Sequence, residues 1–292
     1  MKRAISLSGF AILIGIGITW GSSYLLIKKA LSQLQYAEIG AFRMVMAATF
    51  FSPWLISGLK KLNKKDIVPL IVVAFCGSGI PALLFPLAQT KIGSGLAGIM
   101  SSTTPLFTML FAGLFFKIPL NRFKISGIIT GFAGTLLLIL GSGSSSVEGS
   151  IGHASIILIA TSLYAISSNT VNKYLSHQSS FTISAVAFAI LAIPSVSILL
   201  YNESFAKLSK PEIWSAAMIP LFVLSFLGTF LATYLFFQLI KKEGVIFSST
   251  VSYIIPVVAL LLALIDGETL NFIHIAGMSI ILVGIFLSSS KK

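Results

Sequence analysis

Arg43 needs a chemical explanation before any other residue. In "EIGAFRMVMAATFF", residues 38–51, it is the only charge after Glu38, and apolar and small residues follow it without a break. A guanidinium offers five N–H donors in a planar fork, a geometry that suits a carboxylate or a set of carbonyl oxygens. Two further groupings have a spacing that could hold a solute. "SSTTPLF" sets Ser101, Ser102 and Thr104 before Pro105, and "SYIIPVV" sets Ser252 and Tyr253 before Pro256. A proline inside a helix removes the amide that the carbonyl four residues earlier would use, so the freed carbonyls are those of Ser101 and Ser252. The third grouping is amphipathic: Trp20, Ser23 and Tyr24, then Tyr164 and Asn169, then Tyr234 and Gln238. Tyr and Trp give flat apolar surface with one hydrogen-bonding handle, a lining better suited to a small amphipathic solute than to a bare ion. For each of these residues the plain alternative is packing or anchoring at an interface.

Other chemistries are poorly represented. There is one cysteine, Cys76, and the three histidines, His153, His177 and His274, are scattered. That excludes a disulfide framework and a Cys/His metal cluster, and no metal or cofactor is expected. Neither an H-E-x-x-H nor a G-x-S-x-G motif occurs, so an intramembrane enzyme has no visible nucleophile or metal site. The acids Glu38, Asp66, Glu148, Glu203, Glu212, Glu243, Asp266 and Glu268 fall in or beside the connections between apolar runs. A proton relay needs a carboxylate or histidine within the membrane, so a dedicated proton antiporter is disfavoured. Glu268 and His274 are the remaining titrating candidates, and sodium binding by freed carbonyls stays open.

The elements that must position these residues are transmembrane helices. The chain of 292 residues is 56% hydrophobic and 10% charged, where a soluble protein carries roughly 25% charged residues. Apolar runs of about 20 residues match a hydrocarbon core of about 30 Å. Ten are expected, at 9–27, 38–57, 67–88, 94–116, 123–141, 151–172, 180–201, 215–238, 245–265 and 272–289. Helices are required because lipid offers the backbone no partner. The first run follows Lys2 and Arg3 but lacks a clear cleavage site, so it is expected to stay uncleaved.

With both termini placed in the cytoplasm, fourteen Lys and Arg fall on inside segments and five on outside ones, leaving Arg43 within a span. The positive-inside rule then accounts for the net charge of +12 as topology, and a nucleic-acid partner is excluded. Arg43 lies about 7.5 Å below Glu38, at 1.5 Å per residue. A snorkelling anchor and a role in a gate or substrate site are both compatible with that depth.

The second half repeats the first. "PLIVVAFCGSG" at 69–79 matches "PLFVLSFLGTF" at 220–230, and thirteen residues from Pro69 to Ala112, among them Gly77, Ser101 and Pro105, recur 151 positions later. Gly127 and Gly134 recur 150 positions later as Gly277 and Gly284, and "TWGSSYLLIKK" at 19–29 lies over "LYAISSNTVNK" at 163–173, pairing Trp20 with Tyr164. Aligning Pro53 with Pro194 puts Ser184 opposite Arg43, so the arginine belongs to what makes the halves unequal. Five spans per repeat is an odd number, so the halves must be inverted. The expected organisation is a first repeat at 1–143, a Gly/Ser-rich linker at 144–150 and a second repeat at 151–292. The fold class is an all-α membrane protein of ten transmembrane helices in two inverted five-helix repeats, both termini cytoplasmic. Inverted repeats are a mark of transporters, whose sites lie near the midplane.

The ten spans, "TWGSSYLLIKK", the arginine early in span two, "SSTTPLFTMLFAGLFF" and "SYIIPVVALLLALIDGETLNFIHIAGMSIILVGIFL" together resemble the EamA-type branch of the drug/metabolite transporter superfamily, over nearly the whole chain. In the first repeat Lys117 stands where that pattern has the glutamate represented here by Glu268. The resemblance implies a carrier of the cytoplasmic membrane, commonly an exporter of amino acids or related metabolites. It also implies a central cavity bounded by spans one, three, four, six, eight and nine. The leading expectation is a secondary transporter, working outward, of small neutral or zwitterionic metabolites. Its partners are then a small-molecule substrate and the lipid bilayer, with monomer and homodimer both open. The rivals are an importer or flippase of a larger lipid- or sugar-linked metabolite and a non-transporting scaffold.

Overall fold

A computed structural model describes residues 7–115, 120–141, 147–269 and 271–289. Among these the secondary structure is helical throughout. Nine helices are long and apolar enough to cross a membrane: α1 (Leu7–Ala30), α2 (Tyr36–Leu59), α3 (Lys64–Gln89), α4 (Ser94–Leu114), α5 (Arg122–Leu140), α6 (Ile151–Tyr174), α7 (Ser180–Tyr201), α8 (Pro211–Glu243) and α9 (Phe247–Ile265). A tenth apolar helix, α10 (Phe272–Ser288), is shorter. The helical backbone leading into α6 begins at Val147, inside the stretch expected as linker. Residues 142–146 and Lys117 lie outside the described residues.

Three pairs of equivalent helices of the two halves pack against each other antiparallel. Against α10, α5 sets Gly127 beside Gly284 and Gly134 beside Gly277. In the pairing of α2 with α7, Phe51 stacks on Phe188 at 5.3 Å and Trp54 on Phe181 at 4.5 Å. Glu38, at the start of α2, takes Lys207 and Ser204 from beyond the end of α7. Between α4 and α9, Gly98 meets Ala259, while the amides of Ser94 and Gly95 bond the Glu268 carboxylate beyond the end of α9. Antiparallel pairing of matched helices is the relation that two inverted repeats require.

Four helices are interrupted: α4 and α9, where Pro105 and Pro256 lead one to look, and also α3 and α8. In α4 the first segment ends at Ser101 and the second starts at Thr104. The carbonyl that Pro105 frees, that of Ser101, accepts the Thr104 hydroxyl at 2.8 Å, so this break is satisfied within the helix. In α9 a 3-10 turn at Thr250–Tyr253 precedes Pro256. The interruption in α3 is a π-helical stretch, Phe75–Gly79, ahead of Pro81, and α8 has its counterpart at Leu224–Leu231. The two π-helical stretches coincide under the 151-residue repeat. Each crosses a serine through a glycine: Gly77 abuts Ser167 of α6, and a Cβ on Gly228 would stand 3.0 Å from the Ser23 Oγ of α1. Ser23 and Ser167 are themselves a repeat-matched pair.

Candidate functional site

These interruptions surround a central cavity of about 110 Å³. Its walls come from α1 (Trp20, Ser23, Tyr24, Ile27), α2 (Arg43, Met44), α3 (Gly77, Ser78, Phe85), α4 (Ser101, Thr104, Thr108), α6 (Tyr164, Ser167, Ser168), α8 (Gly228, Thr229, Thr233, Phe236, Phe237) and α9 (Ser249, Val251, Ser252, Ile255). The six spans that the family resemblance implies are all present, and α2 joins them.

Arg43 points into this cavity, not along the helix toward Glu38. Its Nε and Nη2 donate to the Thr229 hydroxyl oxygen at 3.3 and 3.2 Å. Both distances are long for N–H···O. Glu38 is fully buried, 0% exposed, and bonds the Gln35 amide, Ser204 and Lys207. Among the described residues lining the cavity, Arg43 is the only cation and no acid or histidine appears.

The aromatic wall has two groups of rings in contact. Trp20 packs edge-on to Phe236 at 4.9 Å, Tyr24 edge-on to Phe85 at 5.6 Å, and Phe85 stacks on Tyr164 at 5.8 Å. One handle is in use: Trp20 Nε1 donates to the Gly228 carbonyl at 2.8 Å. Five wall hydroxyls give their protons to their own helices. Ser23 donates to the Thr19 carbonyl at 2.9 Å, Ser101 to Gly98 at 2.7 Å, Thr104 to Ser101 at 2.8 Å, Thr108 to Thr104 at 2.8 Å and Thr229 to Leu224 at 3.2 Å. A hydroxyl whose proton is committed offers only its lone pairs, so this part of the wall accepts hydrogen bonds.

The expected site residues divide. Trp20, Ser23, Tyr24, Arg43, Ser101, Thr104, Tyr164 and Ser252 line the cavity together. Ser102, Asn169, Pro105 and Pro256 are buried behind its wall. Ser102 bonds the Ile99 carbonyl, and Asn169 ties α6 to α4 through the Thr108 carbonyl at 3.1 Å. Tyr253, half-buried, packs against the core beside the cavity. Tyr234 lies on another face of α8, its ring 4.0 Å from that of Phe181, and Gln238 reaches its hydroxyl from the exposed side. Thr229, Thr233, Phe236, Ser78 and Ser167 were not picked out by residue type. The usable signal was the repeat itself, which matches Ser78 to Thr229 and Gly77 to Gly228.

Two inverted helical halves around a central polar-lined cavity define a membrane carrier. The comparison with known proteins agrees: the EamA-like transporter family matches residues 7–140 and 152–290, and the chain belongs to that family. It is similar to an "uncharacterized transporter" of Archaeoglobus fulgidus, 24% identical over 94% of this chain and 95% of that one. The "uncharacterized inner membrane transporter YedA" of Escherichia coli is 25% identical over 97% and 91%. A "probable amino-acid metabolite efflux pump" of Salmonella typhimurium is 24% identical over 96% and 94%. A solved crystal structure of another protein superposes with a TM-score of 0.65 over 96% of both chains at 15% identity, a likeness of fold. The protein is a multi-pass transporter of the cytoplasmic membrane, and not an enzyme.

Proposed function

We propose that this carrier moves small zwitterionic metabolites, amino-acid-like and partly apolar, and that it works outward by rocking of the halves 1–143 and 151–292 about the cavity. The observation that carries the reading is Arg43, a lone cation within an acceptor-rich wall. A substrate carboxylate would replace the long Thr229 contacts with shorter, charge-assisted hydrogen bonds. An ammonium group would donate to the hydroxyl oxygens, whose own protons are committed. The Trp20, Phe236, Tyr24 and Tyr164 rings would cover the apolar part. The Salmonella relative's description points the same way, and the modest cavity volume argues against a large lipid-linked cargo.

The test compares three solutes that share one ring: L-phenylalanine, 3-phenylpropionate without the ammonium, and phenethylamine without the carboxylate. In proteoliposomes the zwitterion should show saturable flux, the acid weaker flux, and the amine none. Flux of the amine equal to that of the zwitterion, or no saturable flux for any of twenty labelled amino acids, overturns the reading.

A further inference from the structure

The π-helical stretch Leu224–Leu231 of α8 is held from outside its own helix at two adjacent residues. Trp20 of α1 bonds the Gly228 carbonyl, and Arg43 of α2 bonds the Thr229 hydroxyl. Thr229 in turn donates to the Leu224 carbonyl, five residues back, the spacing of a wide turn. Its proton is thereby directed along the helix and its lone pairs toward the guanidinium. Among the described residues the other half shows no such tie. By the repeat, Ser78 stands where Thr229 does and Ser184 where Arg43 does. Ser184 is fully buried, and its hydroxyl has no partner among the described residues.

From this we infer that Thr229 is a positioning residue. It parks Arg43 against the wide-turned stretch of α8, so that a ligand drawing Arg43 away releases that stretch to change its winding. The inference rests on Arg43 being the group that meets the substrate. Tightening a wide turn back to α geometry rotates everything beyond it by about 100° per residue absorbed. The side chains beyond Leu231 on the cavity side, Thr233, Phe236 and Phe237, would turn with it. Cavity occupancy would therefore be coupled to the half of α8 that leads to Glu243, through a contact that, among the described residues, only one repeat possesses.

The experiment has two arms, on the full chain in lipid nanodiscs and in proteoliposomes. In the first, without ligand, amide exchange is followed by mass spectrometry over residues 224–231. Both Thr229→Val and Arg43→Met should quicken exchange there by about fivefold, the factor that one ordinary hydrogen bond is worth, and Thr229→Ser should restore the parent rate. Unchanged exchange in both variants overturns the inference. In the second, L-phenylalanine is the probe. Thr229→Val should keep the half-saturating concentration within about threefold while the maximal rate falls about tenfold, with rescue by Thr229→Ser. A raised half-saturating concentration at an unchanged maximal rate would make Thr229 a ligand contact and overturn the inference. If the parent protein fails to move any amino acid, the functional reading has failed, and the exchange arm alone decides whether Thr229 and Arg43 hold α8.

Discussion

Gly127 of α5 and Gly284 of α10 cross with no room for a side chain on either. A Cβ on Gly127 would stand 2.5 Å from the Gly284 carbonyl oxygen, and one on Gly284 would stand 2.6 Å from the Gly127 carbonyl oxygen. The neighbouring atoms are backbone, which cannot rotate away as a side chain could. In lipid no hydrophobic force drives helices together, so such close approach carries much of the association.

Gly284→Ala should therefore wedge α5 and α10 apart and destabilise the protein by about 1–3 kcal/mol, the usual cost of overpacking. The check is a lowered thermal midpoint in detergent. Gly15, which has open space around its Cβ position, supplies the control: Gly15→Ala should leave the midpoint within error. Equal midpoints for the two variants would refute the close crossing.

Glu268 joins three elements. Gly267 adopts φ +80°, and the Glu268 amide bonds the Ala263 carbonyl at 2.9 Å, the closure of a Schellman turn that ends α9. The carboxylate then caps α4 through Ser94 and Gly95 and pairs with Lys28 of α1 at 2.9 Å. Burial pushes the Glu268 carboxyl up, but Lys28, the Gly95 amide and the Ser94 hydroxyl and amide outweigh it and hold it below the ordinary value.

A lowered carboxyl contributes stability that is complete above the unfolded-state value, about 4.3 for glutamate, and is lost as pH falls through the lower folded value. Glu268→Gln should thus melt lower than the parent protein at neutral pH, and the gap should close below about pH 4. Other buried acids, such as Glu38, remain in both proteins and cancel from the difference. A gap that is constant across this range would mean that the ionised carboxylate is not what matters.

The helices were legible because lipid imposes length and apolarity on every span, and the inverted repeat was legible because matched prolines and glycines mark the interruptions. The direction of Arg43 was not. Hydropathy separates lipid from loop, but a cavity inside a bundle and a lipid-facing wall are built from similar residues. Tyr234 and Gln238 have the right chemistry and sit on the wrong face of α8. Thr229 and Phe236 read as ordinary packing and line the cavity. The π-helical stretches were hidden for a related reason: Pro81 and the glycines mark a disturbance in α3, while the serines that cross at Gly77 and Gly228 come from helices distant in the chain.

Arg43 itself separates stability from function. It lines the cavity as a partly buried side chain, has no acid beside it among the cavity-lining residues, and makes two long hydrogen bonds to one hydroxyl. A guanidinium so placed has given up part of its hydration without a compensating ion pair. A structural anchor would lose stability on replacement. A group kept for a ligand should do the opposite. Arg43→Met is accordingly expected to raise the thermal midpoint in detergent, even though the local amides of α8 open faster, because local opening and global unfolding are separate events. Its transport of L-phenylalanine should fall to background. Arg43→Lys keeps the charge but loses the planar fork and its two-point contact, and should retain the folded amount while losing about tenfold in uptake at low substrate, the effect of about 1.4 kcal/mol. A lowered midpoint for Arg43→Met together with full transport by Arg43→Lys would assign the arginine to the scaffold.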